Sequence, residues 1–159
     1  MAENRGKQFE NIVKECLQRV PGVSIDRVHD QMTGYLGSSA NICDFIAYKK
    51  PLQVYIECKS VHGNTFTLSG ITDKQWNGLL EKSKLDGVKA GVLIWFVEHD
   101  KTLFYPIKVL QAVKEAGLKS VRPDPFSFPP YKVIEIPGKK KRVFFDYDFI
   151  NFFEEVANT

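Results

Sequence analysis

Leu52-Gln53-Val54-Tyr55-Ile56-Glu57-Cys58-Lys59 decides how this chain reads. Side chains along a strand alternate between two faces. Leu52, Val54, Ile56 and Cys58 make an apolar face, and Gln53, Tyr55, Glu57 and Lys59 make the other. Glu57 and Lys59 therefore point the same way, at the end of a hydrophobic strand. The strand before it, residues 42–48, holds a single acid, Asp44, set between Ile42-Cys43 and Phe45-Ile46-Ala47. Asp is rarely buried unless it is paired, so packing does not account for it.

A hairpin turning on Lys50-Pro51 would make residues whose numbers sum to 101 face one another, and Asp44 and Glu57 meet that condition. Their Cβ atoms would then lie about 4.5–5.5 Å apart. Like charges at that spacing repel unless a cation sits between them. An odd-length loop would shift the register by one and break the pairing. Two carboxylates so placed suit Mg²⁺ or Mn²⁺, hard cations that take one or two carboxylates and keep several waters. Such an ion can hold a phosphate and acidify a water. Lys59 would steady the attacking water and the charge that develops on the phosphate. The Cys58 carbonyl is a further candidate ligand.

Working outward, Phe9, Ile12, Val13, Cys16, Leu17 and Val20 repeat at helical spacing, so residues 5–20 are expected to form a helix stopped by Pro21-Gly22. A short strand over 23–29 follows. Residues 30–40 have no period and two glycines, and read as a mobile loop. Thr72 is placed to cap a helix with Gln75 at the capping-box position. That helix carries Trp76, Leu79 and Leu80 on one face and ends near Gly87. The apolar run 90–97 reads as a strand covered on both faces. A strand over 102–105, a helix over 106–118 and an irregular connection over 121–130 follow. The chain closes with a hairpin of 131–136 and 142–145 around the turn 137–141. A last helix is expected to be capped by Asp148, with Phe149, Phe152, Phe153 and Val156 inward. The order α-β-β-β-α-β-β-α, then hairpin and helix, gives an α/β fold with a mixed central sheet flanked by helices on both faces.

The 159 residues suit one domain, 1–159, with a core over about 5–118 and the hairpin and helix over about 131–157. A hydrophobic fraction of 43% excludes a wholly disordered chain. A net charge of +3 permits nucleic acid as a partner without demanding it. No apolar run approaches the ~18 residues of a membrane span, so no membrane association is expected. Residues 1–7 lack the apolar core of a signal peptide. Cys16, Cys43 and Cys58 are widely spaced and read as buried free thiols of a reducing cytosol. His29, His62 and His99 have no ligand spacing, although His62 follows Lys59 closely. No Gly-x-x-x-x-Gly-Lys-Ser/Thr stretch exists, which excludes a phosphate-loop NTPase.

Asp44, twelve residues, then Glu57-Cys58-Lys59 resembles the PD-(D/E)XK nuclease signature, and α-β-β-β-α-β is that superfamily's core order. Gly6-Lys7-x-Phe9-Glu10, Lys74-Gln75-Trp76, residues 91–96 and Arg142-Val143-Phe144-Phe145-Asp146-Tyr147 resemble, more narrowly, Holliday junction resolvases of the RecU type in a compact, phage-like form. The resemblance implies a restriction-endonuclease-like core and a metal-dependent DNA endonuclease acting at four-way junctions. It implies Mg²⁺ or Mn²⁺ on Asp44, Glu57 and Glu10, with Asp44, Glu57 and Lys59 as catalytic residues. It also implies a homodimer in the cytoplasm of a bacterium or phage-infected host. Two features depart from it. Cys43 stands where the superfamily often has Pro, and only residues 30–40 are available for the long RecU stalk.

Candidate DNA contacts are Arg5, Lys7, Gln75, Lys139, Lys140, Lys141 and Arg142. Each has a plainer reading: Gln75 as a capping-box residue, Glu10 as a surface acid near a helix start, the four adjacent cations as a solvated turn. Two other functions fit the same fold, a restriction- or repair-type nuclease acting on other DNA, and a non-catalytic DNA-binding module.

Overall fold

A computed structural model of the chain describes residues 2–28, 41–124, 127–128 and 131–159. The expected mobile loop at 30–40 lies outside them, as does part of the 121–130 connection.

Helix α1 (Ala2–Gln18) leads into strands β1 (Ser24–Arg27), β2 (Phe45–Lys49) and β3 (Leu52–Val61). After the two-residue β4 (Phe66–Thr67) come α2 (Asp73–Ser83), β5 (Val88–Phe96), β6 (Lys101–Pro106) and α3 (Ile107–Glu115). Short strands follow: β7 (Ser120–Val121), β8 (Ser127–Phe128), β9 (Tyr131–Lys132) and β10 (Ile134–Glu135). A hairpin of β11 (Gly138–Lys140) and β12 (Phe145–Tyr147) precedes the last helix, α4 (Phe152–Ala157). The expected α-β-β-β-α-β order is present, with β4 as an addition inside it.

The main sheet runs β1-β2-β3-β5-β6-β10. It is mixed: β3 and β5 pair in parallel across α2, and the other neighbours are antiparallel. β5 is central, and the alternation of its side chains divides the interior. Leu93 and Trp95 face one core with Phe9, Val13 and Leu17 of α1, Val54 and Ile56 of β3, and Phe152, Phe153 and Val156 of α4. Val92, Ile94 and Phe96 face the other with Trp76 and Leu79 of α2 and Ile107, Leu110 and Val113 of α3. Each such side chain stabilises by roughly 1.5–3 kcal/mol relative to exposure. Helices cover both faces because both faces of β5 are apolar.

Two contacts hold the elements close. Gly91 lets β5 lie against β6, because a Cβ there would stand 2.4 Å from the Tyr105 carbonyl oxygen. Gly78 makes a notch in α2 that receives Ile42, whose Cγ2 would be 2.2 Å from a Cβ at 78.

The C-terminal third departs from expectation. The hairpin turns at 141–144, not 137–141, with Gly138 facing Tyr147 and Lys140 facing Phe145. Residues 134–135 instead join the main sheet beside β6. Ile134 and Ile136 are both buried, so that segment carries core side chains that a free hairpin arm would expose. Asp148 does not cap α4. Its Oδ1 accepts from the Ile150 N–H at 2.9 Å, closing a turn before the helix, and α4 begins after Asn151 without a side-chain cap.

Candidate active site

The β2–β3 register is the one the two-residue turn Lys50-Pro51 predicts, from Lys49 facing Leu52 to Phe45 facing Ile56. The next step breaks it. The Asp44 N–H donates to the Ile56 carbonyl at 3.1 Å, so Asp44 and Phe45 both stand against Ile56. This is a bulge, which re-aims a side chain at the end of a ladder. Asp44 is therefore not set squarely opposite Glu57. Its Oδ2 accepts the Cys58 N–H at 2.8 Å, and its carbonyl takes the Val28 N–H at 2.8 Å. The strand boundary moves accordingly, with β2 starting at Phe45 and not at 42.

The acids meet nonetheless. Glu57, only 5% exposed, and Glu10, from α1, each lie close enough to Asp44 for its charge to raise their proton affinity. Glu57 Oε2 also receives Lys59 Nζ at 3.1 Å and Gln75 Nε2 at 3.1 Å. Burial pushes Glu57 up to about 8, the Asp44 charge adds to it, and Lys59 opposes it. Glu10 is pushed up to about 7, again by burial first and Asp44 second, with Arg27 and Lys7 pulling the other way. In both, burial disfavours the charged form first and the neighbouring Asp44 charge adds to it.

That observation tests the fit of a divalent cation. The donors are hard oxygens on three elements, and what raises two of the carboxyls is a mixture of desolvation and mutual repulsion that a cation would relieve. Mg²⁺ or Mn²⁺ suits that set. Among the described residues no three His, Cys, Asp or Glu side chains stand as a ready-made metal cage.

Gln75 combines its two readings. It completes the capping box with Thr72 and it reaches Glu57. Arg5 lies elsewhere: its Nη1 bonds His62 Nε2 at 2.9 Å, and His62 Nδ1 lies 3.3 Å from Glu98 Oε1. Arginine only donates, so Nε2 accepts and the ring proton belongs on Nδ1, facing Glu98. Lys7 is exposed and near enough to Glu10 to lower its proton affinity. Of the hairpin cations, Lys140 pairs with Asp100 at 3.0 Å, just past the end of β5. Lys139, Lys141 and Arg142 are exposed. Lys139 and Lys140 are strand residues, not turn residues.

Arg27 is the residue that sequence reasoning missed. Its Nη2 donates to Asn11 Oδ1 at 2.8 Å, its Nη1 lies 4.0 Å from Glu10 Oε1, and its guanidinium covers the Phe45 ring at 5.2 Å. The register Arg27 to Phe45 carries it there. No turn of fixed length links β1 to β2, so no number sum could be written for that pair.

No family model and no curated protein matches the chain. Among solved structures it is similar to Hjc of Archaeoglobus fulgidus, a Holliday junction resolvase from an archaeal hyperthermophile. The identity is 21% and the TM-score 0.49, over 65% of this chain and 78% of that one. A likeness so partial carries no role over to any residue here.

Proposed function

We propose that the chain is a metal-dependent DNA endonuclease of the PD-(D/E)XK kind, a homodimeric Holliday junction resolvase of RecU type formed by a single nuclease domain over 1–159. The observation that carries this reading is the approach of Glu10 of α1, Asp44 just before β2 and Glu57 of β3, with Lys59 against the most buried of them. Acids buried beside one another are costly to keep for packing alone.

Asp44, Glu57 and Glu10 would hold Mg²⁺ or Mn²⁺. A bound ion of this kind polarises a phosphate and supplies a water that ionises near neutral pH. The chain's own residues do the rest. Lys59 donates to the oxygen on which charge grows as water adds to phosphorus and the ester oxygen leaves. Gln75 holds the Glu57 carboxylate. Arg5, Lys7, Lys139, Lys140, Lys141 and Arg142 take backbone phosphates, which position DNA without reading its sequence. Symmetric cutting of a four-way junction needs two such sites, hence a two-fold dimer.

The test is cleavage of a labelled four-way junction beside linear duplex and single strand, with and without Mg²⁺, using wild type and Asp44→Asn. Symmetric, Mg²⁺-dependent nicking of the junction alone, lost in the variant, is expected. Cutting of linear duplex as well discards the junction preference. Binding without cutting moves the protein to the non-catalytic module, and a monomer mass at working concentration removes the dimer.

A further inference from the structure

We propose that Thr72 is a positioning residue for the acid cluster: through the cap of α2 it fixes the Gln75 amide so that its donor end faces Glu57. The link to cleavage rests on the nuclease reading above, whereas the positioning itself stands apart from it.

Thr72 is the N-cap of α2, in extended conformation. Its Oγ1 accepts the Gln75 N–H at 3.1 Å, and its own N–H donates to Gln75 Oε1 at 3.1 Å. A side-chain amide has one accepting end and one donating end. With Oε1 committed to the cap, Nε2 must point away from it, and there it meets Glu57 Oε2 at 3.1 Å. Turning the amide over would set Oε1 against a carboxylate and Nε2 against a backbone donor. Two hydrogen bonds would become two repulsive contacts, so the amide has one stable orientation.

A capping box is completed by Glu as readily as by Gln. Glu at 75 would satisfy the cap and press a further carboxylate against Glu57. Gln alone serves both ends. Glu57 is thus held twice, by Lys59 along its own strand and by Gln75 across from α2. The second hold depends on the Thr72 backbone N–H, which donates to Gln75 Oε1, while the Thr72 hydroxyl accepts the Gln75 N–H and keeps the Thr72 N–H aimed at the amide. Removing the partner that orients a metal-binding group commonly weakens metal affinity or activity by about 10–100-fold.

The full-length chain decides the matter. In the metal-free protein, proton–nitrogen NMR follows the Gln75 side-chain NH₂. Wild type and Thr72→Ser are expected to show shifted, well-separated amide protons, and Thr72→Pro, whose ring fits the φ of −67° here but which lacks the N–H, to move them to free-glutamine positions. Gly87→Ala is the control: its φ of 73° destabilises the chain just beyond α2 without touching the cap, and it should leave the signals in place. In cleavage, Thr72→Pro is expected to need about tenfold more Mg²⁺ for half-maximal rate at unchanged DNA affinity, and Gly87→Ala is not. Gln75 signals that stay put in Thr72→Pro, or that collapse equally in Gly87→Ala, overturn the proposal. Signals that respond as expected while no variant cleaves DNA sustain the positioning and overturn the nuclease reading instead.

Discussion

The acid cluster and the C-terminal hairpin are both dense in charge, and they differ in what holds that charge. Glu57 is buried, contacts Lys59 and Gln75, and lies under the influence of the Asp44 charge. Lys139, Lys141 and Arg142 are exposed, and only Lys140 of the hairpin cations has an ion-pair partner among the described residues. Burial makes like charges expensive, so the cluster demands an explanation in terms of a ligand. Solvent makes the hairpin charges nearly free, so their presence demands none.

The contrast is testable from its strongest arm down. Asp44→Asn keeps an oxygen for the Cys58 N–H and removes the charge that joins Glu10 to Glu57. Metal-dependent cleavage should fall by about 10³-fold or more, as expected where a metal acts as Lewis acid and water activator. Retained cleavage would dissolve the cluster as a centre. Lys59→Met should cost about 10²–10³-fold in the rate of cutting, the scale of one lost charge-stabilising donor, with DNA binding unchanged.

Acidity separates the regions next. Folding raises Glu10 to about 7 and Glu57 to about 8 from an ordinary 4.5. The folded form therefore holds these protons more tightly than the unfolded chain. Metal-free stability from them is complete below pH 4.5 and falls as pH rises through 7 and 8. The Tm of metal-free protein should drop by about 5 °C between pH 5 and pH 8.5. Excess Mn²⁺ should restore it, and Asp44→Asn should flatten the slope. A flat profile in wild type would mean that Glu10 and Glu57 are better solvated than their burial implies.

The hairpin gives the smallest effect. Replacing Lys139, Lys141 and Arg142 by Gln should weaken junction binding several-fold and lower the salt slope by about two to three, near one per phosphate contact. Tm should hardly move. An unchanged slope would assign those cations to solvation.

What the sequence made legible follows the same divide. The alternation of β3 and the two-residue turn at Lys50-Pro51 placed Glu57, Lys59 and the β2 register, because both are local rules. The bulge at Asp44 was not legible, since it depends on where β1, β2 and β3 stop pairing. Arg27 was missed for the same reason, as its partner lies across a link of no fixed geometry. The hairpin was misplaced by several residues. Its lysines read as turn, whereas burial of Ile134 and Ile136 against the main sheet decided where the chain folded back.

Gly78 and Ile42 carry a consequence for how this chain can drift. Glycine within a helix ordinarily costs about 1 kcal/mol relative to alanine, so Gly78→Ala would be a gain anywhere that left room. Here a Cβ would collide with Ile42, two residues before Asp44, and push that acid off the bulge. Bulk should therefore be inherited at one position only where it has been given up at the other. In a screen for second-site suppressors of Gly78→Ala, Ile42→Ala should be among the first to return, a long-range allelic pair written by one notch in α2.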